Sequence, residues 1–424
     1  MRTVLIDLCR ELEVTEIPQD MNELVRTFRA QLSTEQTGGK EEAPKAQPVQ
    51  RKVVMFLDAL DQLNPTDNAR MLYWMPQELK PGVKLVVSVL ETELAALDGD
   101  KKPESRTPKS AFSEDPFDLA RRIWPESLVE VGARDESSGA ELLNAWLRDA
   151  GRTLQDDQRQ HVLSRFAACP LPLYLKLAAQ EAFRWKSWEG VPVPLGETVD
   201  AILDQLLSRL EQPQNHGATL VSRSLGYIAT GKNGLTEDEM LDVLSRDKAG
   251  VVKDFAKCSP GSPRVDRLPV IVWSRLFADI RPYMTSRRAD GTVVMDFYHL
   301  QAGEAVRRRY LATEEARVQA HLHLAEYFAA LDFWAESLEA QRARAKRLPP
   351  TARPANVRKV VELPYHRLEV AKLAGKDDHK SPYWDAVADL LTNWQFLEAK
   401  AEADPNFQEQ ESKDPSPALG AAKL

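Results

Sequence analysis

The sequence predicts an α/β protein: a small parallel sheet near the N-terminus, then a long helical remainder interrupted by one hairpin. Three observations carry this. Val53-Val54-Met55-Phe56-Leu57 is a continuous apolar run ending in Asp58, which reads as a strand buried on both faces, and Val83 to Leu90, mostly apolar, reads as a second buried strand. From Phe117 onward apolar residues recur mostly at the helical period of about 3.6. Tyr283 to Phe297 alternates instead, and its turn, Ala289-Asp290-Gly291, carries the Asp-Gly signal of a hairpin.

The elements follow in order. Val4 to Leu12 and Met21 to Leu32 are expected amphipathic helices, with Leu24, Val25, Phe28 and Leu32 on one face of the second. Thr37 to Gln50 is a polar, Pro- and Gly-containing loop of disordered composition. A short helix is expected over Asn68 to Leu79, another polar loop over Asp98 to Pro116, and a short strand over Leu128 to Val131. Helical stripes then cover Ala140 to Ala150, Gln158 to Ala168, Leu173 to Trp185, Thr198 to Leu210 and Ala218 to Ile228. Thr236 followed by Glu239 is a capping box that opens a further helix. Pro269 to Phe277 is helical, and helices, a hairpin wing and another helix together describe a winged-helix module. Gln301 to Leu331 is helical, and two further helices are read near Val357 to Leu373 and Tyr383 to Ala399. The stretch from Arg347 to Pro354 is read as a linker, and the tail from Asp404 as loose.

Composition narrows the class. A chain of 424 residues exceeds what one core usually supports, about 250–300 residues. The net charge of −8 argues against a general nucleic-acid binder. No apolar stretch reaches the roughly 18 residues of a membrane span, and the first residues lack a secretory signal. The three cysteines Cys9, Cys169 and Cys258 have no ligand spacing and read as reduced structural thiols, so a cytoplasmic protein is expected.

The chemistry-bearing residues start at Asp58 and Asp61. A carboxylate at the C-terminal end of a buried parallel strand sits where open α/β sheets bind ligands. The run has the form of a Walker B element, in which Asp58 holds Mg2+ and Asp61 polarises a water. No Gly-x-x-x-x-Gly-Lys-Ser/Thr loop precedes it.

Four places, taken in order, resemble one family, the NACHT-type signal-transduction ATPases known as STAND NTPases, which are AAA+-related. Phe56-Leu57-Asp58-Ala59-Leu60-Asp61-Gln62-Leu63 resembles their Walker B, and Lys84 to Leu90 resembles the next strand, ending in a sensor 1 residue, Ser88. Cys169-Pro170-Leu171-Pro172-Leu173-Tyr174-Leu175 resembles the Gly-x-Pro element of the helical subdomain. Phe297-Tyr298-His299-Leu300-Gln301 resembles the winged-helix segment whose histidine faces nucleotide phosphates. The resemblance covers roughly residues 1–330.

The resemblance implies a partial P-loop NTPase sheet over residues 1–134, a helical subdomain over 135–214 and a winged helix over 215–312. A helical arm or start of a repeat region over 313–403 and a loose tail over 404–424 would follow. It implies ATP or ADP with Mg2+ as cofactors: Asp58 on the metal, Asp61 on the attacking water, Ser88 sensing the γ-phosphate, Pro172 near the base and His299 on the β-phosphate. The implied function is a nucleotide-driven signalling or defence switch that opens and self-associates, with a protein effector and sensor as partners. Three departures bear on it. Gln62 stands where an acidic residue is usual, which points to impaired hydrolysis; Pro170 replaces the glycine of Gly-x-Pro; and the absent phosphate loop makes the chain resemble a fragment that begins just after it. Whether the chain is an enzyme stays open.

Other features read blandly. Gly226-Tyr227-Ile228-Ala229-Thr230-Gly231-Lys232-Asn233 has phosphate-loop spacing, but no strand precedes it and Gly231 reads as a helix C-cap. His321 and His323, two apart on a helix, face different ways and read as surface residues. Arg307-Arg308-Arg309 reads as a solvated helix face, and the nine tryptophans as core anchors. Asp58 and Asp61 also fit a capped turn after a strand, His299 a buried junction residue, and Pro172, equally well, a first-turn proline. Two alternatives to the switch stay open: a non-catalytic scaffold derived from such an ATPase, and a winged-helix DNA-binding regulator.

Overall fold

The computed structural model describes residues 2–18, 20–33, 52–60, 63, 66–89, 116–132, 135–188, 194–259, 261, 263, 265–334, 354–375 and 381–403. The chain divides into two compact units, Met1–Gly132 and Ala133–Leu424.

In the first unit, α1 (Arg2–Glu11) and α2 (Met21–Leu32) precede the parallel pair β1 (Val53–Leu57) and β2 (Val83–Val87), and α3 (Pro116–Ile123) follows. Asp20 caps α2 by accepting from the amides of Asn22 and Glu23, and Leu24, Val25, Phe28 and Leu32 form its buried face. The strands pair in register from Val53 opposite Val83 to Leu57 opposite Val87. Met55 and Val83 face a core shared with Leu5, Phe28, Trp74 and Leu119.

Three expectations for this unit are corrected. The strands are covered on one face only: Val54, Phe56 and Val86 are 54%, 73% and 48% exposed, and nothing among the described residues packs on them. An apolar run makes both strand faces apolar but does not supply the second cover. The expected helix over 68–79 is a single 3-10 stretch, Thr66–Met71, because Asn68 and Leu72 take left-handed conformations at φ 51° and 53°. Leu128 to Val131 forms no strand, and Val129 and Val131 lie open to solvent.

The second unit opens with α4 (Glu136–Asp149), α5 (Asp156–Ala168), α6 (Pro172–Ala182) and α7 (Val199–Leu210), which pack together. Next come α8 (Ala218–Thr230), α9 (Glu237–Arg246), α10 (Val251–Cys258) and α11 (Val270–Ile280), then the antiparallel hairpin β3 (Met284–Ala289) and β4 (Thr292–Phe297). Asp290 and Gly291 both have positive φ, 51° and 75°, the conformation of a type I′ turn. Leu235 forms an isolated antiparallel bridge to Met295 beside the wing. The capping box at Thr236 and Glu239 is formed in both directions.

The chain continues as α12 (Leu300–Tyr310), α13 (Glu314–Ala329), α14 (Val357–Ala374), α15 (Pro382–Leu391) and α16 (Trp394–Glu402). One core runs through this unit, from Leu143 on α4 through Tyr227, Trp273 and Phe328 to Ala399 on α16.

Here too the structure corrects several expectations. Gln301 to Leu331 is helical as expected, in two helices, α12 and α13, since Thr313 caps the second by accepting from Ala316 N. Tyr383 to Ala399 breaks into α15 and α16, with Asn393 as the cap. His321 and His323 are not surface residues: they do face different ways, but each face is covered. His321 Nδ1 lies 2.9 Å from His366 Nδ1 on α14, and His323 Nδ1 lies 2.7 Å from the Tyr227 hydroxyl on α8. Trp74, Trp185 and Trp273 are core anchors, whereas Trp188 and Trp394 are exposed. Arg308 and Arg309 do lie at the surface, paired with Asp200 and Glu211 of the α7 region. No helix among the described residues is long and apolar enough to cross a membrane.

Candidate functional site

The parallel register builds the first half of the candidate site. Because Leu57 sits opposite Val87, the next residue on each chain, Asp58 and Ser88, emerges at the same C-terminal edge. Ser88 Oγ donates to Asp58 Oδ1 and accepts from the Ala59 amide at 2.8 Å. Backbone bonds from Ser88 N to Leu57 O and from Leu60 N to Ser88 O, each 3.0 Å, fix the two turns together. Ala59 takes φ 57°, which turns the chain sharply away from the strand. Both side chains are solvent-exposed.

This edge offers a carboxylate and a hydroxyl, hard oxygen ligands suited to Mg2+. Among the described residues no group of three His, Cys, Asp or Glu side chains is placed to hold a metal. An ion here would thus depend on a few protein oxygens plus water or a ligand, the usual manner of Mg2+. Asp61 and Gln62 lie outside the described residues.

The other two site residues belong to the second unit. Pro172 is the first residue of α6, exposed, after Leu171. His299 is the N-cap of α12 and half-buried. Lys176, one turn into α6, reaches toward the second of these: its Nζ stands 5.0 Å over the Tyr298 ring, and Tyr298 meets the His299 ring edge-on at 4.4 Å. Burial, then the Lys176 charge, pushes the His299 imidazole below its ordinary range, so it is neutral at pH 7. A neutral imidazole beside an ammonium can donate to an oxyanion without itself adding charge. Lys176 is the residue that sequence reasoning missed. Its only signal is its place four residues after Pro172, one turn along the same helix face.

The stretch with phosphate-loop spacing is not a loop of that kind. Gly226 to Thr230 is the last turn of α8, and Gly231 ends it. The amides that follow, Lys232 N and Asn233 N, donate to the Glu362 carboxylate at 3.0 and 3.1 Å.

The family model described as an NWD1-like, winged helix-turn-helix domain matches residues 195–317. The chain carries a winged-helix domain of this type. Over 340 residues it is 32% identical to NACHT domain- and WD repeat-containing protein 1 of Homo sapiens, covering 76% of this chain and 20% of that one. NACHT and WD repeat domain-containing protein 2 of Mus musculus is 27% identical over 335 residues, 77% of this chain and 17% of that one. A TPR repeat-containing protein of Dictyostelium discoideum is 22% identical over 349 residues, 81% and 16%. The chain is thus a relative of the NACHT and WD repeat-containing proteins and spans about a fifth of their length. No solved structure matches it significantly.

The winged-helix domain contains His299, and α11 is its helix before the wing. The outward face of α11 is apolar at its start, with Val270 and Ile271 58% and 63% exposed, and carries Arg275 as its only exposed base. A helix that reads a DNA groove presents polar and basic side chains there.

Proposed function

We propose that this chain is part of a NACHT-type signalling switch that binds ATP or ADP with Mg2+ and changes its self-association with the nucleotide state. The observation that carries the reading is the pair Asp58 and Ser88, hydrogen-bonded at the C-terminal edge of two parallel strands. In this reading the sheet is part of a P-loop NTPase fold. Asp58 holds Mg2+ as the Walker B carboxylate, Ser88 senses the γ-phosphate, and Asp61 orients the water. Pro172 packs near the base, while His299, with Lys176 beside it, contacts the β-phosphate. Gln62 beside Asp61 makes hydrolysis slow. Self-association and a protein effector or sensor are the partners, in the cytoplasm, and the apolar face of α11 counts against duplex DNA.

The test measures ADP affinity, with Mg2+ and with EDTA, in the protein that carries this chain. Asp58→Ala should abolish the Mg2+ dependence. His299→Ala should weaken ADP by about tenfold, the loss of one charge-assisted hydrogen bond. If both variants bind like the parent, the site is wrongly assigned. If the parent shows no nucleotide affinity and no ligand-induced rise in melting temperature, the scaffold reading replaces the switch.

A further inference from the structure

The second unit contains a buried ionic cluster that no step of the proposed switch uses. It lies where α14 meets the winged-helix domain. Half of the eight buried residues on α14 are Arg358, Lys359, Glu362 and His366, so its seat is unusually polar for a packed helix.

Arg358 uses all five of its N–H donors. Nε and Nη2 grip Glu239 with both bonds at 2.9 Å; Nη2 also reaches Gly234 O at 2.8 Å; Nη1 reaches Asp290 at 2.9 Å and Glu362 at 3.0 Å. One side chain therefore ties α14 to the α9 cap, to the wing turn and to the loop after α8. Glu362 is fully buried. Its Oε1 accepts from Asn233 N and Arg358, its Oε2 accepts from Lys232 N, and His366 Nε2 stands 3.2 Å from Oε2, off the hydrogen-bond line. Every group facing this carboxylate is a donor.

We propose that the Lys232 and Asn233 amides, with Arg358 and His366, form an anion cradle, and that entry of the Glu362 carboxylate into it latches α14 onto the winged-helix domain. Two physical points make this a latch rather than ordinary packing. Buried ion pairs contribute little net stability but are strongly destabilising when one partner is lost, so the seat depends on charge match. An all-donor pocket also rejects a neutral isostere, since an amide in the place of Glu362 turns N–H groups toward N–H groups. Pro364, inside α14 between Glu362 and His366, removes one helical hydrogen bond at the seat. The remaining titratable neighbours are already engaged: Glu239 and Asp290 with Arg358, the neutral His321 with His366, and Lys359 with the carbonyls of Ala329 and Leu331.

Hydrogen exchange on the whole chain tests this with Glu362→Gln and Glu362→Ala. Both should speed exchange in α14 by at least about tenfold while α8 and α9 keep their protection. Formate, which replaces the missing carboxylate, should restore protection in Glu362→Ala; formamide, its neutral isostere, at matched ionic strength should not. Should Glu362→Ala fail to fold, refolding in formate against formamide reads the same cradle. Unchanged exchange in Glu362→Gln, an equal rise in α8, α9 and α14, or no difference between formate and formamide would each overturn the latch.

Discussion

Gly234 shows how narrow the tolerances are where the winged-helix domain closes. Its φ is 81°, and a Cβ there would lie 2.3 Å from Met295 O. That carbonyl takes the Leu235 amide, and Gly234 O itself accepts from Arg358, so the backbone cannot move aside without breaking both. Gly234→Ala should cost about 1–3 kcal/mol, the range for a non-glycine residue forced into a left-handed position. Urea unfolding of the variant measures it, and a loss below about 0.5 kcal/mol would show that the loop relaxes freely. Ser88 is a different kind of tight point. Its hydroxyl is held by the Ala59 amide and aims its proton at Asp58, so it positions the carboxylate that the nucleotide reading needs.

Between elements, the α13–α14 contact makes a pH prediction. The δ nitrogens of His321 and His366 are 2.9 Å apart, so one must donate and the other accept. A bare His366 Nε2 lone pair 3.2 Å from the Glu362 carboxylate would be repelled by it, so the proton is assigned to Nε2, which makes His366 Nδ1 the acceptor and His321 Nδ1–H the donor. Burial and then the His366 neighbour push His321 down to about 3, and burial lowers His366 as well, outweighing Glu362. Both are therefore neutral when folded and take protons when unfolded near the ordinary value of about 6.5. The unfolded state binds more protons below that pH, so stability falls as pH drops from 6.5 toward 3 and does not change through these groups above it. Each histidine contributes a slope of about 1.4 kcal/mol per pH unit, and His321→Phe should remove its share between pH 6.5 and 5 in urea titrations. An unchanged slope would mean that the ring takes its proton in place. This contact was not legible in the sequence. Spacing showed that His321 and His323 face different ways but not that partners 45 and 96 residues away cover both faces. The Asp-Gly turn and the Thr236–Glu239 box were legible because their signals are local. Both ends of β1 and the start of β2 were legible from their apolar runs, but β2 stops at Val87 rather than Leu90, and the single-sided cover of the sheet among the described residues was not legible. Lys176 shows only its place one turn after Pro172, and Arg358 and Glu362 only an i,i+4 charge pair; their roles arise from tertiary contact.

At the scale of the whole molecule, the two units are built unequally. Among the described residues, fourteen buried apolar side chains form the first unit's core and forty-nine the second's. Among the described residues one face of the first unit's two-stranded sheet is also left open, and a sheet that small gains little independent stability. Small cores are marginal because the buried fraction of a chain's surface falls with its size. The chain should therefore unfold in two steps in urea rather than one. The first step, with the smaller urea dependence, loses the protection of β1 and β2 amides while α8 and α13 stay protected. A fragment of residues 133–403 should reproduce the second step alone, with its midpoint within experimental error of that step in the whole chain. Coincident loss of protection in both units, or a fragment that unfolds far earlier, would mean that neither core stands without the other.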